Sequence, residues 1–338
     1  MVGCDRVLQS LAGRIIWPIF ASLFIPTLAL MAGATLLPRA DAAELAGVIF
    51  LPRDARLMSL DMITGREYVI PIDGEGAIGD VAGSSDGSLL ALSRLARRQD
   101  GTLGRDINVF PRLGGPTERV IEHDSQRVYL GSPAISQDSR TVLFDRQDAS
   151  RPPSEARVEQ VSLVDGSRRV VALNARAPSP QPDGSLLAFV RWGAVESLLV
   201  RDRATGAETA IVDSRSFLAI ASPKFAPNGD WIAFSAVSEV SAHRPFLAIG
   251  SGRFGRDLAS PSRHGFPWEV WRIRPDGTEL QRLTELGEDE PTVAWSPDGD
   301  LLAVYGGLGL TLVDPMGGRS PLLIASGGFG GIGWLPAR

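Results

Sequence analysis

The chain holds one cysteine, one lysine and three histidines among its 338 residues. Cys4 precedes a long apolar run, too early to be a lipoprotein attachment cysteine. If that run is removed, the body has no thiol, hence no disulfide and no cysteine chemistry. The histidines are His123, His243 and His264, and no two stand three or four residues apart. A zinc site needs three or four close ligands, so neither a metal nor another cofactor is expected. Lys224 is the sole lysine, and every other basic residue is arginine. This bias reads as coding composition before function. The 34 basic and 39 acidic residues give a net charge of −5, which argues against a nucleic-acid binder. Helix-periodic stretches are almost missing outside the first forty-odd residues. Gly250-Ser251-Gly252 is only a fragment of a nucleophile elbow, which needs a strand-to-helix turn.

What is present begins with a targeting pattern. Arg6 and Arg14 precede 23 uncharged residues, Ile15 to Leu37, followed by Pro38-Arg39-Ala40-Asp41-Ala42-Ala43. A basic region, an apolar core and Ala-x-Ala describe a signal peptide, residues 1–42, cut after Ala42. The run is also long enough to stay in a bilayer as an anchor helix. Either way residues 43–338 are expected outside the cytoplasm, in the periplasm.

The body is organised around Val293–Val304, an apolar strand, a Ser-Pro-Asp-Gly turn and a second apolar strand. Asp-Gly between hydrophobic runs is a strong hairpin signal, because glycine accepts the positive φ of the turn. Asp86, Asp138, Asp183 and Asn228 occupy the place of Asp298 in four earlier copies, spaced 52, 45, 45 and 70 residues apart. Six residues after each anchor comes Leu92, Phe144, Phe189, Phe234 or Val304. Three before, Ile135, Phe225 and Trp295 are bulky, whereas Gly83 and Pro180 are weaker matches. A broken sixth copy, Gly333 to Arg338, closes the chain. Each hairpin is followed by an outer strand pair turning at Gly-Gly, Asp-Gly or Thr-Gly. Repeats near 40–50 residues that are rich in hairpins indicate a propeller of four-stranded blades. The expectation is an all-β, six-bladed β-propeller of antiparallel blades. Gly331–Pro336 would supply the innermost strand of the blade that the N-terminal strands begin.

The aromatic-Ser-Pro-Asp-Gly repeats followed by apolar residues resemble the WD40-like repeats of TolB-type six-bladed propellers. The resemblance covers Gly47 to Arg338 and implies the fold more than the function. TolB has an α/β domain before its propeller, for which Ala43 to Gly47 leaves no room. The resemblance therefore extends to the propeller half. Members of that group are often periplasmic and bind other proteins.

The turn aspartates read as turn-capping residues rather than calcium ligands, since none sits in an EF-hand-like acidic loop. Trp295, Trp334 and Phe225 read as filling between blades. The irregular feature is the 70-residue spacing, which inserts about 25 residues between Ala236 and Trp268. Chain geometry makes this a second turn, on the same face as the longer second turns Arg94–Arg105 and Arg146–Arg157. Candidate binding residues there are Arg98, Arg105, Arg146, Arg191, His243, Arg244, Arg263 and His264. Acidic residues concentrate in the blade crossings, including Asp80, Glu285 and Glu288. This suggests a basic face opposite acidic crossings. Arginine suits carboxylates, so the expectation is a monomeric, non-catalytic, exported module that binds an envelope protein or an anionic glycan. The alternative is a pore-using polysaccharide lyase or hydrolase.

Overall fold

A computed structural model describes residues 45–192, 196–213, 216–238, 266–317 and 322–337. The signal or anchor segment and the insertion, with His243, Arg244, Arg263 and His264, lie outside the described residues. Among the described residues, apart from one 3-10 turn, Pro153–Glu155, every regular element is a strand.

The strands fall in groups of four, each antiparallel to the next within its group. β1 (Val48–Arg53), β2 (Arg56–Asp61) and β3 (Glu67–Val69) come first. β4 (Ile78–Gly83), β5 (Leu89–Arg97), β6 (Leu103–Pro111) and β7 (Arg119–Ile121) form the second group. β8 (Val128–Ile135), β9 (Thr141–Asp148), β10 (Arg157–Ser162) and β11 (Arg168–Leu173) form the third. The fourth group is β12 (Ala175–Pro180), β13 (Leu186–Arg191), β14 (Ser197–Asp202) and β15 (Glu208–Val212). The fifth is β16 (Phe217–Phe225), β17 (Ile232–Ser238), β18 (Glu269–Ile273) and β19 (Gln281–Arg282). The sixth is β20 (Thr292–Trp295), β21 (Leu302–Gly306), β22 (Gly309–Val313) and β23 (Leu322–Ala325). One parallel bridge, Arg105 to Tyr129, joins the second and third groups into an eight-stranded sheet. The last strand, β24 (Gly333–Leu335), returns to β1, with Val48 opposite Leu335 and Phe50 opposite Gly333.

Burial follows from the repeat. Phe144, Phe189 and Phe234, six residues after their anchors, are fully buried, each contributing about 2–3 kcal/mol of transfer free energy. They belong to apolar clusters shared between neighbouring groups. Phe50 and Leu57 pack with Leu90 and Leu92, Ile107 and Val109 with Leu130 and Phe144. Leu143 and Val158 pack with Leu187 and Phe189, Val190 and Leu198 with Ile232 and Phe234. Ala233 and Val270 meet Trp295 and Val304, and Ala303 and Leu312 meet Ile49 and Trp334. The last cluster returns to the first group, so each sheet is covered on both faces by its neighbours. Each first strand also touches the next, from β4 through β20 to β24 and back to β4. The result is a β-propeller whose described first strands each pack beside the next.

Candidate functional site

The Asp-Gly turns frame the site. In the last full copy, Ser296 Oγ donates to Asp298 (2.5 Å) and accepts from the Leu301 N–H (2.9 Å). Ser84 with Asp86 and Leu89, and Ser136 with Asp138 and Thr141, repeat this lock. Each anchor also accepts the N–H two residues later, and Asn228 does so as well as an aspartate. Gly299 takes φ 83°, while Ser139 takes 55° in the copy that has no glycine. The Ser84 hydroxyl and the Ser88 N–H hold Asp86 down to about 2. These aspartates are thus committed to their own turns.

Just inside the turns, all six first strands line one central cavity of about 290 Å³. Ile135, Phe225, Trp295 and Trp334 supply apolar wall; Ser84, Gln137 and Gln181 supply polar rim. Trp295 is 6% and Trp334 8% exposed, so they fill space between sheets and also face the cavity. Trp295 Nε1 donates to the Lys224 carbonyl (3.0 Å) and Trp334 Nε1 to the Ala46 carbonyl (3.1 Å). Lys224, the chain's one lysine, lines this cavity and the narrow waist of about 30 Å³ below it. Burial depresses its ammonium below the ordinary lysine value, and the charge of Asp80 offsets part of that.

The waist is built from bulged first strands. Ser132, Ala177 and Ser222 are non-glycine residues at φ 47°, 51° and 49°, each followed by proline. Such conformations cost on the order of 1 kcal/mol each and persist where surroundings enforce them. Carboxylates from adjacent groups hold the N–H of two of these residues, Ser132 and Ala177, and of Ile220 near the third. Asp80 accepts the N–H of Ser132 (2.9 Å) and of Gly331 (2.8 Å), tying three groups together. Asp145 accepts the Ala177 N–H (3.0 Å). Glu196 accepts the Ile220 N–H (2.7 Å) and pairs with Arg176 (3.2 Å). Burial pushes Asp145 up, against the Ala177 N–H and the Ser132 hydroxyl, which draw it down. Asp80, Asp145, Arg105, Tyr129 and Gln147 line a further polar cavity of about 290 Å³. Sequence reasoning left Lys224 and the carboxylate staples out of the candidate set. Being the only lysine was the one signal for Lys224, and Asp80 carried none, because its partners come from other repeats.

The four described candidates do not form one cluster. Arg98 donates to Glu122 and to the His123 carbonyl, both at 2.6 Å. Arg146 pairs with Asp124 through two bonds, of 2.5 and 3.1 Å. Both reach one crossing, residues 122–124. Arg105 lies instead in the polar cavity, with its buried Nε unpartnered among the described residues. Arg191 lies over the Phe189 ring (5.2 Å) and pairs with Glu208 (2.7 Å). The expectation of basic loops opposite acidic crossings is corrected here. Second turns and crossings share a face, since both lie at the end where first strands begin, so their charges pair. His123 is fully buried, its Nδ1 2.6 Å from Asp106, and its Nε2 has no partner among the described residues.

No protein-family model matches the chain, and no curated protein matches it. Solved structures do. TolB from Acinetobacter baumannii is 16% identical with a TM-score of 0.59, over 87% of this chain and 67% of that one. A chain assigned as TolB from Agrobacterium tumefaciens is 16% identical with a TM-score of 0.56, over 86% of this chain and 99% of that one. An oligogalacturonate lyase in complex with manganese is 14% identical with a TM-score of 0.51, over 80% and 70%. Identities this low carry the fold alone. Residues 45–337, where described, thus have the fold of a TolB-type β-propeller.

Proposed function

We propose that this chain is an exported, non-catalytic, six-bladed propeller that docks an envelope protein on its second-turn face. The observation that supports this most directly is the β5–β6 hairpin. Its strands are nine residues each, against six in β1 and β2, and stay paired out to Arg97 opposite Leu103. It is therefore longer than the β1–β2 hairpin, with Arg97 and Arg98 at its tip. Long loops on a rigid scaffold are where binding residues concentrate. The proposed contact set is Arg98, Arg105, Arg146 and Arg191 with His243, Arg244, Arg263 and His264. An acidic partner surface would take Arg98 and Arg146 in exchange for Glu122 and Asp124. The N-terminal pattern supports export to the periplasm, with residues 1–42 removed or kept as an anchor.

The test is capture from an envelope extract at two salt concentrations. Exposed charges are screened beyond about 10 Å at 0.1 M salt, so capture should fall as salt rises. Reversing Arg98 and Arg146 to glutamate should cut capture at least fivefold. Because these arginines are paired, a charge-exchanged variant (R98E, E122R, R146E, D124R) controls for stability. It should keep its Tm within about 2 °C and still lose capture. Normal capture by the exchanged variant would sink the proposal.

A catalytic reading would rest on Lys224, which lines the central cavity and, with Asp80, the small cavity next to it. Polysaccharide lyase chemistry would then be the activity to seek. Release of unsaturated uronides from polygalacturonate, with and without manganese, separates that reading from a binding module.

A further inference from the structure

We propose that the central cavity is a binding site for a small carboxylate with an apolar body, whose carboxylate group pairs with the Lys224 ammonium. The site lies at the Asp-Gly turns, away from the second-turn face, and does not depend on the interaction reading.

Three observations converge on it. First, the Lys224 ammonium makes neither a hydrogen bond nor an ion pair among the described residues. A charge drawn into a protein interior costs free energy unless it is paired. Arg98, Arg146, Arg176 and Arg191 each have an acidic partner or a carbonyl, whereas Arg105 and Lys224 are cations that face cavities. Second, the nearest carboxylate in the waist is not available. Both oxygens of Asp80 accept backbone N–H bonds from other repeats, at Ser132 and Gly331, and Ser93 Oγ lies 3.5 Å from one of them. Third, the walls above Lys224 are Ile135, Phe225, Trp295 and Trp334, which suit an apolar body. Small-ligand pockets combine such walls with a few convergent polar groups, from about 300 Å³ upward; this cavity stands at that lower limit.

The charge count selects the anion. One unpaired cation, with Asp80 beneath it, suits a monoanion. A phosphate dianion would bring a second negative charge toward Asp80. A threaded peptide is also disfavoured, because the small cavity that shares Lys224 with the central one holds only about 30 Å³. The depressed Lys224 supports the same reading, since a bound anion would restore its proton affinity.

The sole lysine makes the test direct. Reductive methylation with ¹³C-formaldehyde labels Lys224 and the N-terminal amine, two signals distinguishable by titration. Hexanoate should move the Lys224 signal saturably and raise its titration midpoint, while hexanol and the N-terminal signal should show no such change. On unmodified protein, tryptophan fluorescence should report hexanoate binding through Trp295 and Trp334. Lys224→Met should weaken that binding at least tenfold, and Lys224→Arg should retain more of it. No hexanoate-specific shift at Lys224 would overturn the proposal, even if Lys224→Met fails to fold. Stronger binding of inorganic phosphate would overturn the choice of anion. A response only to acetyl-glutamyl-glycinamide would overturn the small-molecule class.

Discussion

At the residue scale, the charged groups divide into those that hold turns and those that face cavities. Asp86 illustrates the first. Its carboxyl is held at about 2 against an ordinary 3.8, so it stabilises the fold above pH 3.8, and that contribution is lost as pH falls through about 2. Asp86→Ala is expected to lower Tm by about 1–2 °C at pH 7, because the group is exposed and screened. The difference from wild type should vanish near pH 2; a constant gap across the acid range would refute the assignment. Lys224 illustrates the second, with the opposite sign. Its folded value is depressed below 10.5, so the folded protein sheds the proton first and stability rises with pH between the two values. Below both, wild type bears the cost of a partly desolvated ammonium. Lys224→Met should therefore raise Tm by about 2 °C at pH 7, with the gain shrinking toward pH 10.5. A Tm below wild type at pH 7 would count against Lys224 being held for function at the expense of stability.

At the element scale, β24 contributes more than its three residues suggest. Trp334 fills the cluster between β1 and β21 and bonds the Ala46 carbonyl. Leu335 packs on the other side, with Phe50, Leu90 and Phe110. Trp334→Ala should cost about 3–5 kcal/mol, read by chemical denaturation, and Trp334→Phe clearly less. Equal costs would mean that the ring volume is not what the cluster needs. Gly76 shows why some loop positions admit no side chain. It sits at φ 113°, where a Cβ would overlap the Leu95 carbonyl, so strain and collision act together.

For the whole molecule, closure is the decisive contact. A chain ending at Ile332 keeps nearly all of its strands yet leaves β1 with an unpaired edge. It should lose the single cooperative unfolding transition seen by calorimetry and associate through that edge in sizing chromatography. A truncated protein that unfolds as sharply as the full chain would show that closure is not required. Much of this was legible beforehand. The Asp-Gly anchors marked five hairpins, and the broken Gly333-Trp334 copy marked the strand that pairs with β1. The bulges at Ser132, Ala177 and Ser222 were not legible, because their positive φ is imposed by the packing and carboxylates around them. Nor was the pairing of Arg98 with Glu122 and of Arg146 with Asp124, because these partners are 24 and 22 residues apart.

Local chemistry, repeated along the chain, was enough to set the strands, their turns and the meeting of the two ends. A hairpin depends on neighbours within a dozen residues, and those neighbours are written in order. Which charges neutralise each other, and which one stands alone, was decided only by the assembled sheets. Asp80 is claimed by Ser132 and by Gly331, 52 and 251 residues away, and that claim leaves Lys224 without a hydrogen bond or ion pair among the described residues. Electrostatic pairing depends on distance in space, and the folded ring alone determines that distance.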